Sequence, residues 1–264
     1  MDYQLKGKLA LVTGSTGGIG LAIATALAGE GANVIVNGRT DDRVAEAIDK
    51  IRTRHPKAKL QAFAGDLSKA DEVNELDARF QDLAILVNNL GVYAPKPFQE
   101  LTDTDWHEII ETNFFSGLRL SRTFLPGMLG KNWGRIIFIS SESGVEIPTE
   151  MIHYGVTKTM QISLARGLAE TTKGTGVTVN SVLPGPTRSE GVEKFVESMA
   201  QKQGKSAAEM EKEFFKSARP GSLLQRFATV EEVANMVAYV ASPLSSATNG
   251  AALRVEGGVI RSIV

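Results

Sequence analysis

No cysteine occurs in the 264 residues, which excludes disulfides, thiolate metal sites and a cysteine nucleophile. Histidine is scarce too: His55, His107 and His153 stand far apart, without metal-ligand spacing. Excess charge is missing. Twenty-nine basic residues face 30 acidic ones, and a net charge of −1 offers no field for nucleic acid or an anionic membrane. No apolar run is long enough to span a bilayer, and residues 1–6 carry no signal-peptide apolar core. A soluble, cytoplasmic protein is therefore expected, with neither nucleic acid nor membrane as partner. Length leaves one or two domains open, and 42% hydrophobic residues suffice for a large core.

What is present is a chain of short apolar runs alternating with helical patterns. Residues 8–13 read as a buried strand, followed by Gly14-Ser15-Thr16-Gly17-Gly18-Ile19-Gly20 and a strong helical run over 21–28. Strand, glycine-rich turn and helix form the context a nucleotide phosphate needs, because the backbone can approach the pyrophosphate and the helix N-terminus offers unpaired N–H groups. The spacing is Gly-x-x-x-Gly-x-Gly rather than the commoner Gly-x-Gly-x-x-Gly. A purely structural βα turn would share the glycines but has no need of both flanks. Residues 33–37 read as the second strand. At its end a carboxylate suits the ribose of NAD and an arginine suits a 2′-phosphate; this chain has Gly38-Arg39, so NADP(H) is favoured over NAD(H). Asp41 and Asp42 read as first-turn acids of the next helix, which runs over about 42–55 with Val44, Ala47, Ile48 and Ile51 on its apolar face.

A third strand at 60–64 leads into Gly65-Asp66-Leu67-Ser68. Asp66 and Leu67, at a strand's carboxyl end, are candidates for the adenine side of a cofactor, with Asp66 equally readable as a cap; Ser68 and Asp71 spell a capping box. The wholly apolar fourth strand, 83–87, ends in Asn88-Asn89-Leu90-Gly91. Its asparagines can hold strand-end geometry, and Gly91 lets a ribose lie close. Thr102 with Asp105 caps a long helix to about Pro126 that contains Asn113. An asparagine is unfavourable there, so its side chain is either used or bonded to backbone. The fifth strand, 135–139, delivers Ser140 and Ser141 to its carboxyl end. A helix over 151–172 carries Tyr154 and Lys158 on one face, a turn apart. An ammonium beside a phenol favours the phenolate and lowers its pKa, which fits the phenol for proton transfer. The sixth strand, 177–183, closes in Pro184-Gly185-Pro186-Thr187. A capping box at Thr229 and Glu232 opens a helix to about Ala241, and residues 252–255 form the last strand.

Taken together, Thr13-Gly14-x-x-x-Gly18-Ile19-Gly20, Asp66, Asn88-Asn89-Leu90-Gly91, Asn113, Ser141, Tyr154-x-x-x-Lys158 and Pro184-Gly185 resemble the classical short-chain dehydrogenase/reductase family nearly end to end. The resemblance implies one α/β domain with a Rossmann-type, doubly wound, seven-stranded parallel sheet between two helical layers. It implies a tetrad of Asn113, Ser141, Tyr154 and Lys158. Tyr154 would be the general acid in reduction and the base in oxidation. Lys158 would lower the tyrosine's pKa, together with the oxidised nicotinamide's charge, and bind the nicotinamide ribose. Ser141 would hold the substrate oxygen, and Asn113 would order a water in the proton relay. The implied activity interconverts a ketone or aldehyde and an alcohol; an NAD-linked alcohol dehydrogenase, a 3-oxoacyl thioester reductase and a non-catalytic cofactor-binding sensor are the alternatives. Three departures stand out: Leu90 replaces the family's alanine, Ser189 its threonine, and Glu256 the aspartate of its closing Asp-Gly-Gly. Either Ser189 or Thr187 would contact the carboxamide.

Residues 189–222 are where this family covers its substrate. Val192, Phe195, Val196 and Met199, then Met210, Phe214 and Phe215, form two apolar sets, readable as a lid over an apolar carbonyl compound or as ordinary packing. Val145, Ile147, Met151 and Tyr93 are further pocket candidates. Mixed charges here weigh against a docking site for an acidic carrier protein. The apolar tail, 260–264, suggests a subunit contact in a homodimer or homotetramer.

Overall fold

The computed structural model describes residues 2–263, and every short apolar run named above forms a strand within two residues of its expected limits. The side chains of Lys194, Phe195, Ser198, Met199, Lys202 and Gln203 lie outside the described residues, including the two expected lid residues Phe195 and Met199. In chain order the strands and helices run β1 (Leu9–Val12), α1 (Gly18–Gly29), β2 (Asn33–Gly38), α2 (Asp41–Arg54), β3 (Lys59–Ala64), α3 (Ala70–Arg79) and β4 (Ile85–Asn88). There follow α4 (Asp103–Ile110), α5 (Ser116–Gly130), β5 (Gly134–Ile139), α6 (Ile152–Thr171) and β6 (Val177–Pro184). The last part holds β7 (Thr187–Arg188), α7 (Glu190–Gln203), α8 (Ala207–Ser217), β8 (Ala228–Thr229), α9 (Val230–Val240) and β9 (Ala252–Val255).

All pairings in the main sheet are parallel, in the order β3-β2-β1-β4-β5-β6-β9. Strand side chains alternate between two faces, and both faces are covered, so the strands are apolar on both sides. Ala10, Val12, Val34, Val36, Ile137 and Ile139 join one core with α1, α2 and α9. Leu11, Ile35, Leu86, Ile136 and Phe138 join the other with α3, α5 and α6. The strand order reverses direction between β1 and β4, and a doubly wound sheet opens its ligand crevice at the carboxyl ends around that point.

The long helix expected from Thr102 to Pro126 is two helices. A π-helical turn at Glu111–Phe115 separates α4 from α5 and contains the fully buried Asn113. Such turns insert an extra residue and redirect side chains, often at functional sites. Pro126 does not end α5, because its ring is exposed while Leu125 and Met128 anchor the helix on the core side. The expected Ser68–Asp71 capping box is also absent. Ser68 donates both its N–H (3.1 Å) and its hydroxyl (2.7 Å) to Asp66 Oδ1, so the serine is used in the turn before α3. The boxes at Thr102–Asp105 and Thr229–Glu232 do form.

The strand pair β7–β8, which sequence periodicity does not reveal, brings together the two ends of the segment holding α7 and α8. Val196, Phe215 and Phe227, with Val192, Met210 and Phe214 around them, form that segment's own small core. The described members of the two apolar sets expected over a substrate thus pack on each other.

Asn37, buried at the end of β2, holds the crevice's floor. Its Oδ1 accepts from Gly14 N (3.0 Å), and its Nδ2 donates to the carbonyls of Phe63 and Gly65 (both 3.1 Å). Asn37→Ala leaves those buried groups unpaired and is expected to lower the unfolding free energy by about 2–4 kcal/mol. Urea denaturation followed by circular dichroism tests this, and an unchanged midpoint would contradict the role given to Asn37.

Candidate active site

The glycine turn after β1 is made rigid by backbone contact. A Cβ at Gly20 would collide with the Gly14 carbonyl and the Asn89 amide, so only glycine lets α1 start there. Asn89 Nδ2 donates to the carbonyls of Thr13 (2.8 Å) and Gly14 (3.2 Å), and Thr13 Oγ1 accepts from the N–H groups of Asn89 and Leu90. Asn89 thus holds the strand ends as expected, whereas Asn88 Nδ2 donates to Ser121 Oγ (3.2 Å). Leu90 turns its side chain toward Gly14. The N-terminus of α1 itself has neither a side-chain cap nor an acidic residue in its first turn, unlike α4, α8 and α9 with their capping boxes. Free N–H groups and an uncompensated positive dipole end at a glycine turn fit a pyrophosphate.

The other expected cofactor residues divide by what their atoms already do. Ser15 is fully buried and its hydroxyl accepts from Asn37 N (2.9 Å), so it builds the turn. Leu67 is fully buried in the core, so its side chain is not available to a ligand. Asp66 is half-buried, with one oxygen taken by Ser68. Thr16 lies against Gly38, where any side chain would strike its methyl, so a carboxylate at 38 is sterically excluded. Next to it Arg39 is exposed and makes no hydrogen bond or ion pair among the described residues. Across the crevice Gly185 donates to Val255 O, and Thr187 Oγ1 donates to Gly185 O (2.9 Å). Ser189 caps α7 and lies over Gly18, so its hydroxyl is in use while its backbone adjoins the turn.

Tyr154 and Lys158 rise from the first turns of α6 against the end of β5. Lys158 Nζ lies 5.6 Å from the Tyr154 ring centroid and donates to Ile139 O (2.9 Å) and Gln161 Oε1 (3.1 Å). A Cβ on Gly91 would stand 3.5 Å from both Lys158 Nζ and Asn113 Oδ1, so the end of β4 opens onto this group. The Asn113 side chain bridges Val92 N and O and also donates to Thr157 Oγ1 (3.1 Å); its backbone carbonyl accepts from Gln161 Nε2 (2.6 Å). The buried amide thus clamps the 92 loop to α6, and Gln161 joins the Asn113 backbone to Lys158. Ser141 Oγ accepts from Ser143 N (3.1 Å) and donates to Glu142 Oε2 (2.5 Å). Tyr93 packs edge-on to Tyr154, with centroids 6.0 Å apart.

Electrostatics departs from the simple expectation. Tyr154 is pushed above the ordinary phenol value, chiefly by burial, although its residue surface is not wholly closed to solvent; hydrogen bonding from Ser141 opposes the shift and the Glu142 charge adds to it. Lys158 is lowered to about 7 by burial. The lysine was expected to lower the tyrosine, but a buried ammonium facing only neutral acceptors is itself half discharged near neutrality. Residue spacing revealed the pair but not its desolvation. Glu142, Gln161 and Arg219 escaped the sequence reading. Gln161 stands one turn after Lys158 and Glu142 directly after Ser141, so both could have been suspected, whereas Arg219 comes from a distant segment.

Among the described residues no group of three or more His, Asp and Glu could hold a metal, and no helix is long and apolar enough to cross a membrane. A side groove of about 430 Å³, lined in part by Gly18, Thr25, Arg188 and Ser189, adjoins the phosphate turn but lies away from Tyr154.

The family model for short chain dehydrogenase matches residues 8–200. The chain is 48% identical to the uncharacterized oxidoreductase YvaG of Bacillus subtilis (strain 168) over 263 residues, covering 100% of both chains. It is 34% identical to D-beta-hydroxybutyrate dehydrogenase of Cupriavidus necator, over 97% of this chain and 98% of that one. The solved structure of L-sorbose reductase from Gluconobacter frateurii, complexed with NADPH and L-sorbose, superposes with a TM-score of 0.93 at 28% identity over 100% of both chains.

A lysine whose pKa falls to about 7 in the folded state, from 10.5, weakens folding wherever the unfolded chain holds the proton more tightly. That penalty is complete below the folded value and fades as pH rises toward 10.5. In cofactor-free protein Lys158→Met is expected to raise stability by at least ~1 kcal/mol at neutral pH, roughly 2–4 °C in Tm. Differential scanning fluorimetry should find that gain shrinking between neutral and alkaline pH; a loss of stability at neutral pH would show that Lys158 is not desolvated.

Proposed function

Because the chain belongs to the short-chain dehydrogenase family, we propose that this oxidoreductase is NADP(H)-dependent and interconverts a small ketone or aldehyde with its alcohol. One observation carries the reading: the uncapped start of α1, the exposed Arg39 and the Tyr154–Ser141–Lys158 cluster all open on the carboxyl edge of the sheet. The turn Gly14–Gly20 and the α1 N-terminus would hold a pyrophosphate, with Thr16 beside it. Arg39 would pair with a 2′-phosphate, and Gly38 could be replaced by no acid. Asp66 and the Leu67 backbone would face the adenine; Asn89, Gly91 and Lys158 the nicotinamide ribose; and the 185–189 segment the carboxamide. When bound, the cofactor supplies or removes a hydride at the substrate carbon.

The remaining chemistry belongs to the chain. Tyr154 gives a proton to the substrate oxygen in reduction and takes it in oxidation. Its raised pKa keeps the phenol protonated, as a proton donor requires. Lys158 supplies a titratable amine one turn away, able to pass a proton onward near neutral pH. Ser141 fixes the reacting oxygen, and Asn113 positions α6 through Thr157. Exposed Tyr93, packed on Tyr154, and Ile147, beside Gly155, support an apolar flank on the substrate. The NADPH and L-sorbose of the sorbose reductase complex support the cofactor class and the carbonyl chemistry. The segment 189–222 would cover the substrate. Exposed Ile263 and half-exposed Tyr239 and Leu244 support a homo-oligomer; light scattering after gel filtration would give its order, and a monomer at micromolar concentration would refute it.

A panel of ketones that includes L-sorbose and acetoacetate, assayed with NADPH and NADH, tests the assignment. NADPH should be preferred, and Arg39→Asp should shift the NADPH/NADH ratio of kcat/KM by at least ~10-fold toward NADH, about 1.4 kcal/mol. An NADH preference that Arg39→Asp leaves untouched would overturn the cofactor choice. Tyr154→Phe should lower kcat by roughly 10²- to 10⁴-fold, and a surviving rate would remove Tyr154 as the proton donor.

A further inference from the structure

Glu142 occupies a costly place. It is 5% exposed, follows Ser141 directly, and has both carboxylate oxygens engaged. Oε2 accepts from Ser141 Oγ at 2.5 Å, and Oε1 accepts from Arg219 Nε at 3.1 Å. Arg219 arrives from beyond α8, 77 residues away in sequence, and is itself 13% exposed on its side chain. Its Nη1 reaches Glu150 at 3.3 Å and the Ala218 carbonyl at 2.8 Å, and its guanidinium faces the Phe214 ring. A buried ion pair contributes little net stability compared with apolar packing, while an unpaired buried carboxylate is strongly unfavourable. The pair therefore calls for a reason beyond folding.

Donor and acceptor logic supplies one. An ionised carboxylate only accepts, and a backbone N–H only donates. The Ser141 hydroxyl must therefore give its single proton to Glu142 and accept from Ser143 N. One lone pair remains, so in this arrangement Ser141 can accept from an alcohol O–H, and it donates to Tyr154 or to a carbonyl oxygen by turning its proton away from Glu142. A carboxylate this close also opposes negative charge on the reacting oxygens. It pushes the Tyr154 pKa up, and Arg219 pulls it back.

We propose that Glu142 and Arg219 are positioning residues for the reaction: Glu142 orients the Ser141 hydroxyl beside the reacting oxygen, and Arg219, from the segment after α8, neutralises Glu142 so that charge can develop there. The proposal rests on the reading of Ser141 and Tyr154 as the reacting pair. It makes the catalytic serine dependent on a residue from the part of the chain that would cover the substrate.

Four proteins test it: wild type, Arg219→Met, Glu142→Gln and the double variant, each assayed for kcat and KM on the best ketone–alcohol pair of the panel. Cofactor affinity is measured separately by fluorescence quenching. Arg219→Met strands the Glu142 charge, and kcat should fall on the order of tenfold or more, with cofactor Kd within about twofold of wild type. Adding Glu142→Gln removes the stranded charge and should recover most of that loss, as should Arg219→Lys, which restores the charge without the guanidinium shape. A double variant no faster than Arg219→Met would mean that Arg219 acts by packing alone, and the proposal fails. It fails equally if Arg219→Lys is as slow as Arg219→Met. Should Arg219→Met not fold, Glu142→Gln alone decides: its kcat must change while its cofactor Kd does not. Wild-type turnover that Tyr154→Phe leaves intact would remove the premise instead, an outcome separable from the other two.

Discussion

Thr13, Asn37 and Asn89 tie the carboxyl ends of β1, β2 and β4 to one another through partly buried side-chain bonds, and the crevice exists because they do. A parallel sheet can bond its strands along their length, but at the carboxyl end the chain must leave, and its polar groups lose their ladder partners. Here three short polar side chains replace those partners. The replacement holds Gly14 to β2 and β4 and puts Gly20 at backbone contact distance, so α1 begins with its N–H groups open. The phosphate turn, the ribose edge and the cluster on α6 all inherit their positions from this clamp.

The second constraint is desolvation. Lys158, Glu142 and Asn113 are all nearly or wholly buried around Tyr154, so the ionisation of Lys158 and Tyr154 depends on the few neighbours present. Lys158 meets only neutral acceptors and loses proton affinity. Tyr154, crowded and near a carboxylate, holds its proton more firmly. Glu142 keeps its place by pairing with Arg219. The fold thus lets one small region contain an acid, an amine and an ion pair whose properties differ from those of the same groups in water.

Much of the layout was legible from residue order. Alternating apolar strands and amphipathic helices announced a doubly wound sheet, and the capping boxes at Thr102 and Thr229 marked real helix starts. Errors fell where a local pattern had two physical solutions. Ser68 could cap α3 or bond Asp66, and it does the latter. The run after Thr102 could continue as an α-helix or admit a π-helical turn, and the turn at Asn113 formed because that amide satisfies both polar groups of Val92 from within the core. The apolar residues of α7 and α8 could face a substrate or each other; among the described ones, Val192, Val196, Met210, Phe214 and Phe215 pack together with Phe227, from far along the chain.

The sequence by itself determined the seven strands of the main sheet and most of the helices between them, the glycine turn, the absence of acid at position 38 and the pairing of Tyr154 with Lys158 on one helical face. Those follow from period, spacing and steric size, which act over a few residues. Only the tertiary structure decided the protonation behaviour of Tyr154 and Lys158, the Gln161 link between Lys158 and Asn113, and the Glu142–Arg219 pair behind Ser141. Each of these depends on burial or on a partner brought from far along the chain, and neither desolvation nor a contact across 77 residues is encoded in local spacing.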